Sequence, residues 1–158
     1  MNSKSKLVGR WMSWNEIAPY KEQLIDMECE LMHVYHYPDR ILPRSYAEGA
    51  VNRLKDHLAS GNTFFWGVED GKELLGYYWG YAAPFIDTLR WHLRSIFFKD
   101  YIRTKGLGKA AILAGLEKAK EIGCKDAATE YVPFNEKMAA LVKTCGYSVS
   151  RIEVVAEL

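Results

Sequence analysis

Arg103, Lys105, Gly106, Gly108 and Lys109 stand close together where the apolar run ending in Phe97-Phe98 passes into a basic, glycine-rich turn and then an alanine-rich stretch. Such a turn binds a phosphate. Glycines let backbone N–H groups crowd toward an anion, and the helix that follows adds unpaired N–H groups and the positive end of its dipole. A Walker loop is excluded, because it needs glycine where Arg103 stands and a hydroxyl residue where Ala110 stands. Gly106-x-Gly108-x-x-Ala111 fits a dinucleotide fingerprint, with Glu130 near the acidic position, but only 47 residues follow Ala111. That is too little chain for a doubly wound sheet.

The spacing Arg103-x-x-Gly106-x-Gly108, between a strand and a helix, resembles the acetyl-CoA pyrophosphate loop of the GNAT acyltransferases, Gln/Arg-x-x-Gly-x-Gly/Ala. A second landmark of that family is an Asn, then an apolar helix, then Gly-Phe/Tyr; Asn135 through Gly146-Tyr147 matches it. The resemblance covers Leu74 to Tyr147, and the first 62 residues share only the order of elements. It implies an α/β (α+β) GNAT fold: a mixed, mostly antiparallel sheet of about six strands flanked by about four helices, as a single domain over residues 1–158.

The resemblance also implies direct transfer of an acetyl group from acetyl-CoA to a primary amine in a ternary complex. Phe97, Phe98 and Lys99 would offer backbone groups to the pantetheine, with the N–H of Phe98 on the thioester carbonyl. The loop Arg103-Thr104-Lys105-Gly106-Leu107-Gly108-Lys109 would hold the phosphates, and Asn135 would touch the pantetheine arm or only cap its helix. The family often takes its base from the strand about eleven places before the loop arginine, which here is His92; Glu130, acting through water, is the second candidate. Each has a plainer reading, His92 as a packing or surface histidine and Glu130 as a solvated carboxylate. Strand alternation, if unbroken, would put His92, Arg94, Ile96 and Phe98 on one face, and a bulge would spoil that phase.

Tyr37, Arg40, Tyr77 and Arg94 are the candidate acceptor contacts, with His33, His36 and Arg44 beside them. Aromatics there suit a flat, apolar or cationic acceptor, arginines an acidic one. The acceptor expected is a small-molecule amine. A protein or peptide amine, or a catalytically silent acyl-CoA-binding domain, is the alternative. Val142 favours the silent form, because it stands where many members carry a tyrosine acid; Tyr131 or Cys145 is the candidate replacement.

The elements that position these residues follow from periodicity and punctuation. Tyr20, Leu24, Met27, Leu31 and Val34 repeat at helical spacing from Pro19 until Pro38. Ser45-x-x-Glu48 reads as a capping box opening a helix with Ala47, Val51, Leu54 and Leu58 on one stripe and Gly61 after it. Residues 63–69 and 74–83 form an aromatic hairpin across Asp70-Gly71-Lys72, followed by a strand from Trp91 to Phe98. A helix from about Gly108 to Ile122 ends at Gly123, and Asp126–Val132 is a strand. Asn135 caps a helix bearing Met138, Leu141, Val142 and Cys145 that stops at Gly146, and Tyr147 to Leu158 reads as a last strand.

Composition narrows the function classes. A chain of 158 residues buries roughly 70% of its unfolded surface without staples. The balance of 21 basic against 20 acidic residues gives no field that would gather nucleic acid or an anionic membrane. No run approaches the ~18 apolar residues of a membrane span. Cys29, Cys124 and Cys145 lack paired metal-ligand spacing, so no metal is expected and a reduced cytoplasm is the setting. Only 12 residues follow Gly146, fewer than the family's usual two closing strands. One long strand, or a homodimer whose partner lends a strand, would complete the sheet.

Overall fold

Strand β3 carries aromatic side chains on both faces, so the sheet needs cover on both. In the computed structural model, which describes residues 6–158, it has it. The sheet runs in spatial order β1 (Arg10–Trp11), β2 (Thr63–Glu69), β3 (Leu74–Phe85), β4 (Thr88–Phe98) and β5 (Asp126–Ala128). The first four strands are antiparallel to their neighbours, and β5 runs parallel to β4. Among the described residues this is one strand fewer than expected, within the architecture the sequence implies.

One face is covered by α1 (Trp14–Ile17), α2 (Lys21–Leu31) and α3 (Arg44–Ala59), with Leu24, Val51 and Leu54 packed against Phe65, Tyr77 and Trp79. The other is covered by α4 (Leu107–Glu121) and α5 (Glu136–Thr144), with Ile112 and Val142 against Leu75, Tyr78 and Trp91. Tyr77, Tyr78 and Trp79 alternate between the two cores, and Leu74 and Leu75, beyond the irregularity opposite Val68 and Glu69, also divide between them, so this part of β3 is apolar at successive positions rather than at every second one. The buried rings are ordered: Phe65 stacks on Tyr77 at 5.4 Å, and the indole N–H of Trp91 donates to the Tyr78 hydroxyl at 2.6 Å.

Local chemistry sets most boundaries. Gly61, Gly123 and Gly146 follow α3, α4 and α5 with positive φ, as helix stops do. Asp70 closes the β2–β3 hairpin by accepting from the N–H groups of Lys72 and Glu73. Asn135 caps α5 by accepting from the N–H of Met138 at 3.1 Å.

Four expectations are corrected. The helix foreseen from Pro19 to Pro38 is segmented: α1 precedes it, a 3-10 turn spans Ala18–Tyr20, and after α2 the chain widens into a π-helical turn, Met32–His36. Ser45 is not a cap, since α3 begins at Arg44 after Pro43, and the capping box is formed by Ser13 and Glu16 instead. The strand foreseen to Val132 stops at Ala128. Residues 147–158 form no strand, and Val149, Ile152, Val154 and Val155 are exposed. Their β-branched composition favours a pleated, half-buried surface, and without a paired sheet edge that preference has nothing to act on.

Candidate active site at the opening between strands β4 and β5

The parallel pairing of β4 and β5 lasts three residues, Arg90–Asp126 to His92–Ala128. Beyond it the strands part, tied once more where the Thr129 hydroxyl donates to the carbonyl of Leu93 at 3.3 Å. A bulge in β4 decides what faces the opening. The β3 partners step from Gly80↔Leu93 to Trp79↔Ser95, so Arg94 has no partner and the alternation slips by one residue. Trp91 and Leu93 pack in the α4 core before the bulge, Ile96 and Phe98 after it. The single face foreseen for His92, Arg94, Ile96 and Phe98 is therefore broken.

Backbone groups slip in the same way. The N–H of Lys99 donates to the carbonyl of Leu75 at 2.9 Å, so it is committed to β3. By alternation Phe97 also points to β3, while Ile96 and Phe98 turn their peptide groups to the opening. The Phe98 carbonyl is already used: the Arg103 Nε donates to it at 2.6 Å. The expectation that Phe97 and Lys99 offer free backbone groups is thus corrected, and Ile96 takes their place beside Phe98.

A 3-10 turn, Asp100–Lys105, leads from β4 to Gly106, whose φ of 75° lies in the left-handed region that disfavours other residues. The first α4 amide to reach a helical carbonyl is that of Ala110, on Gly106 at 3.1 Å, which leaves the N–H groups of Leu107, Gly108 and Lys109 aimed out of the helix start. A Cβ on Gly108 would stand 3.2 Å from Leu141, so this glycine also lets α5 approach. Thr104, Lys105 and Lys109 are exposed, and neither lysine forms an ion pair among the described residues. Free amides, a dipole and two unpaired ammonium groups suit a pyrophosphate. Arg103 is differently employed: besides Phe98 it bonds the Tyr35 hydroxyl at 2.7 Å and pairs with Asp100 at 2.7 Å, fixing the loop to β4 and the π-helical turn.

Two cavities with one lining residue in common lie near this opening. The inner one, about 40 Å³, is lined by His36 and Tyr35 from the π-helical turn, Leu93, Arg94 and Ile96 from β4, Thr129, Glu130 and Tyr131 beyond β5, and Asn135 and Met138. The outer one, about 240 Å³, is walled by residues 36–40, among them Tyr37 and Arg40, and by Val132, Pro133 and Phe134. His36 lines both.

A buried carboxylate supports the inner wall. Glu28 of α2 is wholly inaccessible to solvent, accepts from the Tyr77 hydroxyl at 2.5 Å and pairs with Arg94 at 2.9 Å. Arg94 is also bonded to the Ser95 hydroxyl at 2.6 Å and lies 3.9 Å over the Trp79 ring. Burial, then the Glu28 charge, pushes the Tyr77 hydroxyl well up, so it stays a donor. Tyr77 is fully buried, which corrects its assignment to the acceptor groove; it positions Glu28 instead. Glu28 is absent from the residues the sequence motifs single out, although it sits on the Leu24–Leu31 apolar stripe, where a carboxylate needs a partner.

The other foreseen residues are distributed as follows. Glu130 and Asn135 line the inner cavity, Asn135 while capping α5. His92 lines neither cavity and stacks on Tyr81 at 4.9 Å, its pKa lowered by burial and by Arg90. Arg44 is taken up by Glu22, Asp26 and Glu48. Val142 is a core residue; of the substitutes named for the missing tyrosine, Tyr131 lines the inner cavity and Cys145 packs against the α4 core. Among the described residues no cluster of His, Cys, Asp or Glu has the makings of a metal site, and no helix is long and apolar enough to cross a membrane.

Residues 29–147 match the model of the acetyltransferase (GNAT) family. The chain belongs to that family. It is an N-acetyltransferase, and acetyl-CoA is the cosubstrate that family membership brings. A relative, the uncharacterized N-acetyltransferase YdgE of Bacillus subtilis (strain 168), is 28% identical over 108 residues, which cover 68% of this chain and 69% of that one. Among solved structures, the aminoglycoside N-acetyltransferase AAC(6')-Iy in complex with CoA superposes with a TM-score of 0.74 at 14% identity, covering 100% of this chain and 98% of its own. A transcriptional regulator from Bacillus halodurans C-125 gives 0.73 at 18% identity, covering 96% and 99%. At these identities the two structures speak for the fold.

Proposed function

We propose that this acetyltransferase moves the acetyl group of acetyl-CoA directly to the primary amine of a small molecule, with both substrates bound together. The observation that carries the reading is the pair of cavities that share His36. The inner one adjoins the β4 opening where the thioester would lie, and the outer one is walled and small enough for a compact amine or the reactive end of a larger one. The aminoglycoside acetyltransferase among the structural neighbours supports the same class of acceptor.

In this reading the free amides of Leu107, Gly108 and Lys109, with the Lys105 and Lys109 side chains, hold the pyrophosphate. Ile96 and Phe98 pair with the pantetheine amides, the Phe98 N–H polarising the thioester carbonyl. Arg103 acts by fixing the loop. Tyr37 and Arg40 border the acceptor, and Arg94, held by Glu28, lends positive charge to the inner wall. The departing thiol, with a pKa of about 8.5, needs no strong acid. The Tyr131 hydroxyl and water serve in place of the tyrosine that Val142 replaces. Residues 1–158 are taken as one catalytic domain working in the cytoplasm, where Cys29, Cys124 and Cys145 stay as the free thiols found here.

The test is release of the CoA thiol from acetyl-CoA with a panel of aminosugars, polyamines, aryl amines and lysine peptides, beside thermal unfolding with acetyl-CoA, CoA and NADPH. A ligand at ~100 times its Kd adds about 2.7 kcal/mol of stability. A rise in midpoint with the CoA species alone, and turnover of a small amine, is the expected result. Turnover of peptides only would overturn the small-molecule assignment, and absence of any turnover with CoA binding intact would make the domain a silent binder.

A further inference from the structure

Resting on the small-amine reading, we propose that His36 is the catalytic base: its imidazole takes the proton that the acceptor ammonium must lose before it attacks. Of all side chains lining the two cavities, only His36 lines both, so it stands where an amine in the outer cavity meets the acetyl carbon in the inner one. Glu130 reaches the inner cavity alone, and His92 reaches neither.

Its placement is built into the backbone. His36 ends the π-helical turn Met32–His36, and the N–H of Tyr37 closes that turn on the carbonyl of Met32 at 2.8 Å. Single π turns recur at functional sites, and here the widened turn carries His36 at its end. The Tyr37 ring meets the imidazole edge-on at 6.2 Å.

The surroundings suit a proton acceptor. Glu28 faces it from α2, Arg94 from β4 and Glu130 from beyond β5, while Tyr35 and Tyr131 share the inner cavity and Asp39 and Arg40 the outer. Glu28 and Arg94 are paired with each other, so their charges largely cancel at the ring. Burial then dominates and lowers the histidine pKa, leaving the imidazole neutral at physiological pH and able to accept.

The step balances without another reactant. The ammonium gives one proton to His36, and the freed lone pair forms the C–N bond to the acetyl carbon. The C–S bond breaks with its electron pair on sulfur, the second nitrogen proton passes to that sulfur, and the imidazolium returns its proton to water in the open outer cavity.

The experiment compares H36Q, E130Q and H92Q with the wild type on one accepted amine, recording kcat/KM against pH, with the unfolding shift given by acetyl-CoA as a separate readout. We expect H36Q to lose about 100-fold or more in kcat/KM, the usual worth of a general base. It should also lose the acidic limb of the profile, keep the acetyl-CoA shift, and H36A should recover activity in added imidazole. In the free protein, without acetyl-CoA, the His36 ring resonance should titrate below the ordinary value and move when the amine is added. An H36Q variant that keeps the acidic limb, or a limb lost in H92Q or E130Q but kept in H36Q, overturns the proposal. If the wild type accepts only peptide amines, the small-molecule reading falls, and the same comparison with the peptide still decides the base.

Discussion

Replacing Glu28 by alanine should destabilise the protein by about 3 kcal/mol. Glu28 is the charged end of a network sealed under the inner cavity, where Tyr77 and Arg94 both donate to it. Breaking a buried ion pair by removing one partner costs about 3–5 kcal/mol, because the other charge is left uncompensated. Arg94 keeps the Ser95 hydroxyl and the Trp79 ring, and its side chain is 27% exposed toward the cavity, so water relieves part of that penalty. The buried Tyr77 hydroxyl has no such relief and loses its acceptor at about 1–3 kcal/mol. The balance lies near the lower end, and at roughly 2–4 °C per kcal/mol for a chain of this length it lowers the midpoint by about 6–12 °C. Because a hydrophobic pair of similar volume can replace a buried ion pair at little cost, E28M/R94M should lose less than Glu28→Ala does, its remaining cost being the about 1–3 kcal/mol of the Tyr77 hydroxyl left without its acceptor. That double variant should still acetylate slowly, having lost the cation on the inner wall. Urea unfolding followed by circular dichroism, with turnover measured on the same preparations, separates the two effects. A cost below about 1 kcal/mol for Glu28→Ala would mean that water already reaches the pair, and the account of a sealed network would fail.

Gly106→Ala forces a Cβ into the left-handed region at φ 75°, so it should cost about 1 kcal/mol of stability and, by turning the amides of Leu107, Gly108 and Lys109 away, weaken CoA binding roughly tenfold. Calorimetric titration with CoA checks it, and unchanged affinity would remove those amides from the phosphate site. Stability should also fall with acid before the carboxylates titrate. His36 and His92 both have pKa values lowered in the folded state, chiefly by burial, so on acidification the unfolded chain takes up protons first. Their contribution is complete above the unfolded value of about 6.5 and is lost as pH falls through the lower folded values. The unfolding midpoint should therefore drop below about pH 6.5, and H36Q/H92Q should flatten that part of the curve; an unaltered slope would assign it to other groups.

How much of this was legible in the sequence depends on which interactions are local. The strand, glycine turn and α4, the helix stops at Gly61, Gly123 and Gly146, and the Asn135 cap all rest on contacts within a few residues, and all could be read from residue type. The π-helical turn could not. Its residues, Met32 to His36, continue the helical spacing of Leu24 and Leu31, and nothing in Val34 or Tyr35 marks the extra residue that re-aims His36. Glu28 was legible only as an anomaly, a carboxylate on an apolar stripe whose partners lie 49 and 66 positions away. The tail reads as a strand by composition, yet composition cannot supply an edge to pair with.

The bulge at Arg94 shows most clearly where sequence reasoning stops. In a strand covered on one face, a bulge shows as a slip in the alternation of polar and apolar residues. β4 is covered on both, so Ser95, Ile96, Phe97 and Phe98 are buried or half-buried whichever way they point, and the slip leaves no mark. Its effect on the opening between β4 and β5 is nonetheless decisive. Before the bulge the odd-numbered peptide groups face β5, as the bond from Thr129 to the Leu93 carbonyl requires; after it the odd-numbered groups face β3, as the bond from Lys99 to Leu75 requires. An unbroken strand would thus have presented Ser95, Phe97 and Lys99 to the opening. One extra residue exchanges them for Ile96 and Phe98, and so sets which backbone groups face the opening between β4 and β5.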